Sequence, residues 1–240
     1  MAEVIQQENI RRRLFKLAAP IFIETLLIMM LGAVDVIMLS RHSDNSVAAV
    51  GVVNQIIVLT FLIFEVINLG TSVLCSQYLG AKMHKNVVQV VGVSLLMNLV
   101  VGVSVSLFLF GMNETILQWM GLTPELMKDG TDYMRIVGAF AFFQAISLTL
   151  SASLRSANKA IYPMMVTVVV NILNIIGNYT LIFGEFGFPE MGVEGAAIST
   201  AFSRGVSMVI LFIILFRKHI RKFPLAYFRP FPFKALKNLL

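Results

Sequence analysis

Three carboxyl groups and a row of carboxamides stand inside otherwise apolar stretches of this chain. Asp35 lies in LGAVDVIML, with apolar neighbours on both sides. A charged group at the centre of a membrane helix costs about 2.5–3.5 kcal/mol on insertion scales, so one that is kept points to a task. A carboxyl so placed is a candidate for reversible protonation, or for holding Na⁺ together with amide oxygens. Either is what coupling to an ion gradient requires. The competing reading is a structural carboxyl hydrogen-bonded to a neighbouring helix. Glu24 precedes Asp35 by eleven residues, close to three helical turns, so both share a face roughly 16 Å apart along the axis. They are too distant to share a proton, and Glu24 follows Pro20, where a helix has a freed carbonyl. Glu65 shares its stretch with Asn54 and Asn68. Glu24, Glu65, Asn54 and Asn68 are candidates for the polar lining of a cavity, and a structural role for each stays open.

Asn171, Asn174 and Asn178 follow at i, i+3 and i+7, which places three amides on one helical face. An amide donates to a carboxylate and offers oxygen to a cation, so this face suits a partner for Asp35. Polar side chains also join helices in membranes, which is the alternative. Farther on, Ser199, Thr200, Ser203 and Arg204 fall together. The arginine must face protein, water or the membrane edge, and packing is the expected role of the hydroxyls. Met29, Met30 and Met38 could line an adaptable apolar cavity or serve as ordinary filler. Cys75 is a single cysteine within an apolar run and reads as packing. His42, His84 and His219 fall in loops and do not cluster. No HExxH, GxSxG or P-loop pattern occurs, so neither an enzyme nor a nucleotide-driven machine has its residues here. No cofactor and no metal is expected beyond H⁺ or Na⁺ at Asp35.

The elements that must position these groups are legible from composition. Of 240 residues, 58% are hydrophobic and 13% are charged, with a mean hydropathy of +0.83. Soluble domains carry about a quarter charged residues, so the solvent for this surface is the lipid bilayer. A spanning helix needs roughly 20 mostly apolar residues. Six segments meet that requirement, at about 14–39, 47–79, 87–111, 131–154, 161–183 and 192–216. The second is long for one span and is expected to tilt, to extend beyond the bilayer, or to bend near Gly70. The first run is too long for a signal-peptide core and reads as a retained helix. The expected fold is therefore an all-α membrane protein, a bundle of six transmembrane helices.

Charge divides the loops cleanly. One set holds Arg11, Arg12, Arg13, Lys16, Lys82, Lys85, Arg155, Lys159 and the basic tail from Arg217 to Lys237. The alternate set holds Arg41, Lys128 and Arg135 with most of the acids, Asp44, Glu114, Glu125, Asp129, Asp132, Glu185, Glu190 and Glu194. Lys and Arg are retained on the cytoplasmic side, so both termini are expected there, which an even number of spans permits. The net charge of +6 thus reflects topology; no basic stripe is interleaved with stacking aromatics, and no nucleic-acid partner is expected. Residues 1–13 read as a cytoplasmic segment, 14–216 as the helical lobe, and 217–240 as a basic, proline-broken linker along the cytoplasmic surface.

Ordered motifs sharpen this picture. The pattern P-x3-E…GAVDVIMLS followed by SVAAVGVVNQ, then GTSVLCSQYLGAK, LTLSASLRSANKAIYPM, NIIGNYTLIFG and MGVEGAAISTAFSR, resembles the multidrug and toxic compound extrusion (MATE) transporters over residues from about 14 to 216. The resemblance implies secondary active export of drugs or metabolites, small organic cationic or amphipathic compounds, by antiport with H⁺ or Na⁺ and alternating access, in the cell inner (plasma) membrane. It implies a coupling role for Asp35, with Asn174 and Asn178 at the accompanying fifth-helix positions. One of these is often aspartate in relatives; Asn178 leaves fewer carboxylates here. Glu24 matches the glutamate of one bacterial subgroup where other members carry glutamine. The family has twelve helices in two lobes, so the resemblance also implies a missing C-terminal lobe or a second chain as partner. Two other readings stay in view. One is a lipid-linked precursor flippase of the same superfamily, which would want several cavity cations where only Arg204 stands within a span. The other is a non-transporting membrane assembly partner.

Overall fold

The computed structural model describes residues 2–217. The linker expected over 217–240 lies, beyond Arg217, outside the described residues. The helices are α1 (Ala2–His42), α2 (Asp44–Gly80), α3 (His84–Gly111), α4 (Asn113–Trp119), α5 (Pro124–Ala139), α6 (Ala141–Ser156), α7 (Ile161–Phe183) and α8 (Gly192–Leu215). Five are long and apolar enough to cross a membrane, and α5 with α6 forms a sixth, bent span. Spans joined by such short turns alternate in direction. One end of the bundle therefore carries the Ser43 turn and the α7–α8 loop, and the other carries the Lys82 and Asn158 turns.

The fourth span departs from the single helix expected at 131–154. It starts at Pro124, occupying the first helical turn where its missing N–H is harmless, and breaks at Phe140 with a bend of 46°. A break inside the bilayer must satisfy its freed backbone groups within the protein. Here Ser106 Oγ of α3 accepts the hydrogen bond of Phe142 N at 3.1 Å. Small residues bring α3 to the break: a Cβ on Gly102 would lie 3.1 Å from the Phe142 backbone, and one on Gly138 would lie 2.9 Å from Leu109 Cβ. With no proline at the break, the sequence carries only Gly138 as a hint of it. The second span runs helical without interruption through Gly70. The segment between the third and fourth spans, read as loop, holds the short helix α4, which buries Leu117 and leaves Trp119 at the surface.

Two apolar cores result. One joins Leu39, Val53, Leu109, Leu117, Met134, Val137, Ile182 and Ala197 toward the Ser43 end. The other joins Cys75, Val90, Val93, Leu150, Leu154, Val166 and Leu215 toward the Lys82 end. Between them lies a polar layer. Asn98 Nδ2 donates to Asn68 Oδ1 at 3.1 Å and to Thr149 Oγ1 at 2.6 Å, and Thr71 Oγ1 donates to Ser94 Oγ at 2.6 Å. These contacts tie α2, α3 and α6 together where lipid gives no hydrophobic force between helices.

Helices α7 and α8 approach most closely. A Cβ on Gly195 would stand 2.6 Å from the Leu181 carbonyl carbon and oxygen, so backbone itself occupies the space. Gly195→Val is expected to destabilise the bundle by about 1–3 kcal/mol, the usual cost of overpacking, because backbone atoms cannot swing aside. A melt of the detergent-solubilised variant against the parent measures it.

Candidate functional site

Helix α1 lies at the margin of the bundle and packs chiefly on α7. Two contacts from the asparagine face hold it there. Asn178 Nδ2 donates to Asp35 Oδ1 at 2.6 Å, and Asn171 Nδ2 donates to the Leu27 carbonyl at 2.8 Å. Asn178 is itself oriented by its neighbour one turn back, donating also to Asn174 Oδ1 at 3.1 Å. Asn174 then reaches α8 through Thr200 Oγ1 at 3.4 Å, and its backbone carbonyl accepts from Ser199 Oγ at 3.0 Å. The i, i+3, i+7 spacing thus places three amides on one face, each with a different partner. Gly177 allows this, since a Cβ there would collide with the Ser199 hydroxyl.

Asp35 opens onto a cavity of about 540 Å³. Its walls include Glu24, Asn54, Glu65, Asn171 and Asn174, together with Tyr133, Arg155, Thr200 and Arg204. Asn178 stands behind Asp35, fully buried, and among the described residues its Oδ1 has no hydrogen-bond partner. Around Asp35, the Arg204 guanidinium of α8 is close enough to act on the carboxylate electrostatically, and Tyr133 of α5 is hydrogen-bonded to Thr200. Arg204 lies over the Phe61 ring, 5.1 Å from its centroid, in a cation–π arrangement.

Of the expected cavity groups, Asn68 is misplaced. By spacing it shares the face of Asn54 and Phe61, at i+14 and i+7, but at its level α3 and α6 cover α2, and its side chain is buried in the Asn68–Asn98–Thr149 cluster outside the cavity lining. Glu24 is deeper than its surroundings suggest, 6% exposed, and pairs with Arg155 Nη2 at 3.8 Å. The methionines near Asp35 do not line the cavity; Met29 and Met30 face outward and Met38 packs on the apolar core.

Two contributors escape a reading by hydropathy and charge. Arg155 counts as a loop cation by position, yet it sits in the last turn of α6 and faces inward. Gln144, Ser147, Ser151 and Arg155, at i, i+3, i+7 and i+11, are a polar stripe that could have revealed it. Tyr133 belongs to the buried face Gly130, Tyr133, Met134, Val137 and Gly138 of α5, where its phenol resembles one more core aromatic.

The chain is 43% identical over 202 residues to YisQ of Bacillus subtilis, called an uncharacterized transporter, covering 84% of this chain and 44% of that protein. It is 32% identical over 210 residues to a probable multidrug resistance protein, NorM, of Thermotoga maritima, covering 88% and 45%. Its fold superposes with a TM-score of 0.83 on a MOP superfamily transporter from Pyrococcus furiosus, at 24% identity, over 95% of this chain and 50% of that one. The chain thus spans about half the length of the curated relatives it matches. Residues 20–180 fit the MatE family model, and with the six-span bundle that matches half of a solved transporter, the chain belongs to the MatE family of membrane transporters.

Proposed function

We propose that this chain supplies the N-terminal lobe of a secondary active exporter that moves small organic compounds, cationic or amphipathic, by antiport with H⁺ or Na⁺. The observation that carries the reading is Asp35. It is a carboxylate gripped by Asn178 at 2.6 Å, at the wall of a cavity of about 540 Å³, inside a bundle of transporter ancestry. The free oxygen of Asp35 offers a proton acceptor. The same oxygen is a hard ligand of the kind Na⁺ takes. The coupling cation is transported cargo, and Asp35, Asn174 and Asn178, with Asn171 steadying α1, form its half-site. A second lobe, on the same or another chain, faces the cavity, and alternating access follows from rocking of the two lobes about it. In this reading the Lys82 end and both termini face the cytoplasm, the Ser43 end faces outward, and the protein resides in the plasma membrane.

The flippase reading loses support from the cavity charges. Arg155 adds a second cation, but it is paired with Glu24, and Arg204 stands in the field of Asp35. Neither leaves an uncompensated cationic wall for a phosphate.

In the complete two-lobe transporter, Asp35→Asn is expected to abolish efflux driven by an imposed ion gradient while membrane insertion stays normal. Unchanged efflux in proteoliposomes would sink the assignment. Running the same assay with a pH gradient alone and then with a Na⁺ gradient alone identifies the cation. Asn178→Ala removes one interhelical hydrogen bond, worth about 0.6–1.7 kcal/mol in a membrane. It is expected to lower the initial rate roughly three- to twentyfold without abolishing it.

A further inference from the structure

The cavity holds five ionisable side chains besides Tyr133, and they are not evenly balanced. Glu24 has Arg155 at 3.8 Å. Asp35 has Asn178 as a direct donor and the Arg204 charge nearby. Glu65 also lines the cavity, is solvent-exposed there, and among the described residues makes no hydrogen bond or ion pair. Among the described residues, Glu65 is the one cavity carboxylate with neither a paired guanidinium nor an amide donor.

Depth separates this charge from Asp35. Glu65 lies 21 residues beyond Asp44, the start of α2, and Asp35 only seven before His42, the end of α1. At 1.5 Å per residue, these are roughly 32 Å and 10 Å from the shared Ser43 turn. Glu24, 18 residues before His42, is at roughly 27 Å, so Glu65 belongs to the Lys82 half of the cavity. One turn from Glu65 on the same face of α2 is Phe61, with Val58 and Leu148 also in the wall. An uncompensated carboxylate beside an aromatic ring and aliphatic surface fits an organic cation whose charge is carried on an apolar body.

We propose that Glu65 is the residue that reads the positive charge of the transported compound, leaving Asp35 to the coupling ion. This rests on the exporter reading and deepens it. Substrate and coupling cation then bind at different depths, on different carboxylates, and do not compete for one charge.

Tetraphenylphosphonium and tetraphenylborate, nearly identical in shape and opposite in charge, serve as probes. Binding of each to the complete two-lobe protein in nanodiscs, corrected for empty nanodiscs, is compared for the parent, Glu65→Gln, Glu65→Asp and Asp35→Asn at one pH. Glu65→Gln is expected to weaken the phosphonium up to roughly fivefold, the scale of losing one exposed ion pair. Borate binding should be unchanged or tighter, and Glu65→Asp should restore most phosphonium affinity. Asp35→Asn, which also disturbs the seat of α1, should still bind the phosphonium more tightly than the borate. Equal weakening of both probes by Glu65→Gln, or phosphonium loss in Asp35→Asn with Glu65→Gln unaffected, overturns the proposal. A failure of the exporter reading shows elsewhere, as ion-driven efflux that persists in Asp35→Asn.

Discussion

The amide–carboxylate contact between α7 and α1 is the constraint on which the rest of this lobe turns. α1 is apolar around most of its circumference and gains little from burial, since lipid tails are as apolar as the bundle. What fixes it is polar: Asn178 on Asp35 and Asn171 on the Leu27 carbonyl. Interhelical hydrogen bonds in membranes average only about 0.6 kcal/mol, so α1 is held in register by weak, directional contacts. The group proposed to bind the coupling cation is therefore also one of the polar points that locate its own helix, beside the Asn171, Glu24–Arg155 and His42–Glu190 contacts. Chemistry at Asp35 and the position of α1 are inseparable by construction.

Compensation of charge is the second organising rule. In a low-dielectric setting an isolated ion is far more costly than a paired one, and the cavity obeys this at two of its three carboxylates. Arg155 answers Glu24 across the gap between α6 and α1, and Arg204 answers Asp35 from α8 while resting on Phe61. Arg204 rests on the Phe61 ring and makes no direct ion pair with Asp35, so Asp35 retains an oxygen for a mobile partner.

Much of this was legible in the residues. Hydropathy marks the long helices because each must hide its backbone from lipid, and the asparagine face is visible because three amides recur at helical spacing in an apolar run. What escaped has a common cause. Arg155 looks like a loop cation, Tyr133 like a core aromatic, and the break at Phe140 like ordinary helix, because in each case the deciding partner sits on another helix. Glu24 supplies the reason for Arg155, Thr200 for Tyr133, and Ser106 for the break. Asn68 is the opposite case: its type and spacing suit a cavity, but α3 and α6 cover α2 at its level, and Asn98 and Thr149 engage its side chain. Sequence periodicity reports which residues share a face, and only packing reports what that face meets.

The separation of the apolar interior into two clusters, with the hydrogen-bonded layer and the bent fourth span between them, bears on how such a lobe can change over evolutionary time. The two clusters have no residue in common. Substitutions in groups that share no partners combine nearly independently. A lineage can thus refit the half nearest one membrane surface, to a different bilayer thickness or loop length, without disturbing the packing of the other. The polar layer between them is the part that tolerates least drift, because each of its members is answerable to a specific donor or acceptor on a neighbouring helix.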